Sequence, residues 1–287
     1  MLWLTSALAH SIVTAHNADI NRRYKQDGYR LNTFRSFLAA LLWLPMVIIS
    51  PWPTNIYFYP VALFAGLSMM VTFTIGSNLA AKHNGRVALL HVPLSGVIVF
   101  ITWLLISEKA RLHFIEQPED VIIALIAGFI MVFALAKMRR HDVSWAIFVQ
   151  LIPKIFLAAA ATILTRLVMP PETLFQNVPV FLFIVFTTCA VAGVAMYPWR
   201  PKPEKPFFNK NLVKASSLSA IGGSINHTFF LIAIAYAPNP AYVNLIALLT
   251  PFWLMLYHKA RGIPDNADPF SGLILVLGAM ALVTTSF

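Results

Sequence analysis

The chain has 287 residues, 59% of them hydrophobic and only 11% charged, with a mean hydropathy of +0.73. A soluble domain is about 45–50% apolar and about 25% charged, so a water-exposed globule is excluded. Disorder, which needs low hydrophobicity, is excluded with it. The net charge of +10 would suit a nucleic acid or a membrane. The basic residues lie between long apolar runs, which selects the membrane and leaves no role for nucleic acid.

A helix crosses a bilayer with about 20 apolar residues. Reading between charges and Pro, Asn and Gly breaks predicts ten spans: 2–19, 33–50, 56–79, 87–107, 121–137, 144–165, 178–197, 213–236, 240–257 and 269–286. The expected fold class is therefore an all-α integral membrane protein with short connectors.

Span one lacks a basic n-region and a small-residue cleavage site, so it reads as a helix and not a signal peptide. It carries His10, His16 and Asn17; the six-residue gap between the histidines is no same-face spacing, which argues against a two-histidine metal site. His10 and Asn17, seven apart, do share a face. Arg22, Arg23, Lys25, Arg30 and Arg35 read as loop one. Span three ends near Asn78, and span four opens with His91 and Pro93.

Span six holds Gln150, Pro153 and Lys154, the one basic residue well inside a predicted span. An ionisable group at that depth is a functional candidate, here an ammonium for an anionic group; the plainer reading is a lysine that snorkels or pairs with carbonyls. Cys189, the single cysteine, lies in span seven, so no intrachain disulfide forms. Span eight carries serines suited to close helix packing, Gly222-Gly223 at its middle, then Asn226, His227 and Tyr236. Span nine holds Asn244 and an internal Pro251.

An internal repeat pairs the spans. Spans two and seven end in Pro51-Trp52-Pro53 and Pro198-Trp199-Arg200-Pro201. Spans four and nine each carry a proline and exit through Lys109-Ala110-Arg111 and Lys259-Ala260-Arg261. The repeats are 1–141 and 142–287, and because five spans is odd the second enters the membrane inverted. Of the 21 Lys and Arg, 17 fall in odd-numbered loops, which places those loops in the cytoplasm and both termini outside. Two inverted five-helix repeats are a secondary-transporter design with a site at the repeat interface.

The stretch Phe34-Arg35-Ser36-Phe37-Leu38-Ala39-Ala40-Leu41-Leu42 resembles the opening of the second helix in EamA-like members of the drug/metabolite transporter superfamily. The run through Leu79-Ala80-Ala81, Arg86-Val87-Ala88-Leu89-Leu90, Pro93 and Ile106-Ser107-Glu108 resembles that family's hairpin of helices three and four. The resemblance implies a ten-helix, two-repeat carrier of small organic solutes, its cavity lined by helices one, three, four, six, eight and nine. Two features depart from the family: Ser107-Glu108 stands where Gly-Glu is usual, and the charge bias inverts the usual topology.

The expected binding residues are Lys154, Gln150, His10, Asn17, Asn78, His91, Asn226, His227, Tyr236 and Asn244, with Pro93, Pro251, Gly222 and Gly223 as hinges. None of the 11 acids falls at the centre of a predicted span, so a midplane carboxylate relay is not expected. There is no Walker loop and no acidic metal-binding cluster, so no enzymatic chemistry, cofactor or metal is expected. The function expected is secondary transport of an anionic or zwitterionic metabolite in a bacterial inner membrane, by a monomer or homodimer. The alternatives are a translocase for a lipid phosphate or lipid-linked intermediate, with membrane lipid as partner, and a non-transporting scaffold.

Overall fold

The computed structural model describes residues 1–82, 89, 91–137, 145–199, 208–263 and 269–284, and no strand occurs among them. The helices are α1 (Leu2–Tyr24), α2 (Gly28–Ile49), α3 (Phe58–Lys82), α4 (His91–Ile106), α5 (Glu108–Glu116) and α6 (Pro118–Lys137), then α7 (Trp145–Val168), α8 (Leu174–Met196), α9 (Lys210–Tyr236), α10 (Ala241–Ala247), α11 (Thr250–Ala260) and α12 (Pro269–Thr284). Six helical segments of the described chain are long and apolar enough to cross a membrane; α10 and α11 count together as one of them. This is an all-α, multi-pass membrane protein, in which helices satisfy the backbone where no water can.

Three local signals depart from the predicted spans. Asp27 caps α2, its carboxylate accepting from Arg30 N at 3.0 Å, after α1 has ended at Lys25 in the left-handed conformation (φ 48°). The second helix therefore starts at Gly28 and not at 33. Arg35, counted with the charges of loop one at the edge of predicted span two, thus lies two turns into α2 and is buried, with 4% of its surface exposed. Second, Ser107 accepts from Ala110 N at 3.3 Å and caps the short α5, which occupies predicted loop four with Leu112 and Ile115 exposed. Third, predicted span nine is broken at Leu248-Leu249 into α10 and α11.

These boundaries place both prolines expected as hinges in the first turn of a helix. Pro93 is the third residue of α4 and Pro251 the second of α11. First-turn N–H groups have no intrahelical partner, so neither proline costs a helix an internal hydrogen bond. Among the described residues, the prolines beyond the first turn of an α-helix are Pro45, Pro153 and Pro179. Gly222 and Gly223 lie within an unbroken 27-residue α9, where their missing side chains admit neighbours. A Cβ on Gly222 would strike the Asn17 amide, and one on Gly223 would lie 3.5 Å from Arg35 Nη1.

Helices in lipid associate through close packing, with small residues at the seams. α1 lies on α9, where Gly222 leaves room for Asn17 and Asn226 bonds His10 and Thr14, while Ser11 is turned to α11 and accepts from Trp253 Nε1 at 2.9 Å. α2 packs on α3, α8 and α9, α3 also on α7 and α8, α4 on α7 and α10, α6 on α12, and α1 also on α10 and α11. Phe58, Phe181 and Phe186 fill the core between α3 and α8, with Phe58 and Phe181 edge to face at 5.6 Å. Where α3 crosses α8, a Cβ on Gly66 would lie 2.6 Å from Val185 O and 2.7 Å from Thr188 Cβ. Gly66→Val is therefore expected to lower stability by about 1–3 kcal/mol. The neighbouring exposed Leu67→Val should change it by about 0.5 kcal/mol or less. Thermal unfolding in detergent compares the two.

Candidate functional site

A cavity of about 300 Å³ lies among α1, α2, α3, α4, α7, α8, α9 and α10. Each long helix contributes a stripe at helical spacing. α1 gives His10, Thr14, Asn17 and Asn21; α7 gives Lys154, Leu157, Ala158 and Ala161; α3 gives Ala65, Ser68, Met69, Thr72, Phe73 and Gly76. The lining is apolar with convergent polar groups, the usual make-up of a small-molecule site, and 300 Å³ is at the small end of that range.

Of the expected binding residues, Lys154, His10, Asn17, His91, Asn226, His227 and Asn244 line this cavity. Three do not. Gln150 faces outward from α7 and is exposed. Asn78 accepts from Gly28 N at 2.7 Å and so holds the start of α2 against α3. Tyr236 donates to Pro171 O at 3.3 Å at the far end of α9.

The α1–α9 side is a hydrogen-bonded wall. His10 donates through Nδ1 to Asn226 O at 3.2 Å, and Thr14 donates to Asn226 Oδ1 at 3.0 Å. His227 donates through Nδ1 to Gly223 O at 2.8 Å, and its ring meets Phe73 and Phe186 at 5.7 and 5.4 Å. Asn17 Oδ1, on the same wall, has no hydrogen-bond partner among the described residues.

The charge of the cavity comes from two residues. Lys154, 8% exposed, reaches from α7 to α3, where a Cβ on Gly76 would stand 2.8 Å from its Nζ. Arg35, from α2, lies with its guanidinium carbon 3.9 Å from the centroid of the Phe73 ring. Among the described lining residues there is no carboxylate to offset them. Arg35, Asn21 and Asn32 were absent from the expected site. The signal for Asn21 was present, since 10, 14, 17 and 21 mark one helical face. Arg35 was hidden by its place at the polar edge of an apolar run.

At one end of the cavity α1 is tied to α11 through Asp19, which is fully buried. Arg22 Nε donates to Asp19 Oδ1 at 2.6 Å, Arg23 Nε lies 2.7 Å from Oδ2, and His258 Nε2 is 3.3 Å from Oδ1. Arg23 also donates to Tyr257 OH at 2.7 Å, and Arg261 lies over the Tyr257 ring at 4.3 Å. Among the described residues no group of three His, Cys, Asp or Glu is placed to hold a metal ion.

No family model matches the chain, and no curated protein matches it. Among solved structures it is similar to one described only as "Crystal structure of protein", with a TM-score of 0.64 and 13% identity over 98% of each chain. At that identity the likeness is one of fold, over the whole chain.

Proposed function

We propose that this protein is a secondary carrier of a small organic anion, of the EamA-like drug/metabolite transporter type. It would work by alternating access between two inverted repeats in a bacterial inner membrane, with both termini outside the cytoplasm. In this reading α1–α4 and α6 form one repeat, α7–α9, α10/α11 and α12 the other, and α5 is an added surface helix. The observation that carries it is the cavity at the junction of the two halves, lined by Arg35 and Lys154 and by no described carboxylate.

The pattern of helix packing supports the repeat. Exchanging the halves turns the contact of α1 with α9 into that of α3 with α7, α2 with α9 into α3 with α8, and α4 with α7 into α1 with α10 and α11. The pairs α2 with α8, α4 with α10 and α6 with α12 map onto themselves. A two-fold axis in the membrane plane produces such a pattern. His10 and Lys154 stand in corresponding places, each 14 residues before its helix end at Tyr24 or Val168. Both line the cavity.

A ligand that binds only the folded state raises the melting point by mass action. With purified protein in detergent, small organic anions are expected to raise it, and cations of matched size are not. Stabilisation by cations alone would overturn the reading. A response confined to lipid phosphates would move the cargo to a lipid headgroup and make the protein a translocase.

A further inference from the structure

Arg35 stands where α2, α3, α8 and α9 meet. One face of its guanidinium is covered by Phe73, and Nη1 lies against Gly223. The residue is 4% exposed, yet Nε and Nη2 have no hydrogen-bond partner among the described residues. The buried acid of α1, Asp19, is engaged by Arg22, Arg23 and His258. A buried guanidinium with an unsatisfied edge is costly unless something anionic meets it. The Nε–Nη2 edge is one that grips a carboxylate through two parallel N–H···O bonds.

The two cations touch α3 at points one turn apart. Phe73, under Arg35, and Gly76, against Lys154, are three residues apart on one helix face, a rise of about 4.5 Å. A single acidic group answers one of the two charges. A zwitterion would set its ammonium against the other, and like charges in a site of low polarity repel strongly. We infer that the cavity is a two-point site for a small organic dianion, one acidic group held in the Arg35 fork and the other by Lys154. This rests on the carrier reading and narrows its substrate class.

Three ligands built on the same two-methylene spacer test it: succinate, monomethyl succinate and β-alanine, titrated calorimetrically against the purified chain at a pH where every free carboxyl is ionised. Succinate is expected to bind at least about tenfold more tightly than its monoester, the worth of one charge-assisted contact, and β-alanine more weakly than either. Arg35→Gln should erase the preference, and Arg35→Lys, which keeps the charge without the fork, should restore part of it. Equal binding of succinate and its monoester to the wild type overturns the inference, and this comparison needs no variant to fold. A full preference retained in folded Arg35→Gln overturns it too. If the monoester binds in a Lys154-dependent way and succinate binds no better, the anion carrier stands and the dianion fails. If none of the anions binds, both fail.

Discussion

Asp19→Ala is expected to destabilise the protein by about 3 kcal/mol, the largest loss from any single polar residue of α1. Removing one partner of a buried ion pair costs about 3–5 kcal/mol because the other charge is stranded. Arg22 and Arg23 keep 27% and 31% of their side-chain surface exposed, so solvent recovers part of that cost and the lower figure applies. His258, 6% exposed, has no such relief and loses its carboxylate partner. The loss falls on the seam between α1 and α11, which Arg23 and Tyr257 also span. Asp19→Asn keeps the size of the side chain and one acceptor, so it should cost less. Thermal unfolding of the three proteins in one detergent checks the order wild type, Asn, Ala. A melting point for Asp19→Ala equal to the wild type would show that the cluster holds nothing.

Lys154→Met is expected to remove the melting-point rise that anions give the wild type. Hydrogen bonds to a charged group are worth about 1.5–3 kcal/mol, so affinity should drop roughly 10- to 150-fold. Methionine is close to lysine in length and apolar, and it suits a buried position on α7. The fold should therefore survive, and a loss of response is a loss of binding. Gly76→Ala gives a graded companion test, because its Cβ would come within 2.8 Å of Lys154 Nζ and the flexible chain end must move. It should weaken anion binding by less than Lys154→Met does. If Lys154→Met responds to anions as the wild type does, the lysine is structural and the anion site lies elsewhere.

The helices were legible because a bilayer asks each for about 20 apolar residues, and an apolar run of that length is hard to hide. What the apolar runs could not mark was the polar side of a helix that faces a cavity. α2 shows this best. Its first turns, through Tyr29, Arg30 and Asn32, look like loop by hydropathy, yet the Asp27 cap and the buried face of α2 make them helix. Counting Arg35 with the basic residues of loop one, although it falls within 33–50, left it out of the expected site. α1 shows the same effect, since the His10, Thr14, Asn17 and Asn21 stripe that lines the cavity lowers its hydropathy, and it is not among the six segments both long and apolar enough to cross a membrane.

The place of proline within its helix was hidden for a related reason. Pro93 and Pro251 sit in long apolar runs that look like helix interiors, and only the observed starts at His91 and Thr250 turn them into first-turn residues. Gly222-Gly223 looked like a place to bend. The approach of Asn17 and Arg35 explains the pair as clearance for side chains from α1 and α2. Lys154, by contrast, was legible at once, because a lysine deep in an apolar run is expensive and stands out.

The central claim is that the cavity carries a small organic anion across the membrane. The most direct test is exchange in proteoliposomes loaded with unlabelled succinate and given labelled succinate outside, with wild type and Lys154→Met reconstituted side by side. The account predicts saturable, trans-stimulated uptake by the wild type that organic cations do not compete away and that Lys154→Met loses. Wild-type uptake no faster than protein-free vesicles, for succinate and for every other small organic anion tried, would contradict it.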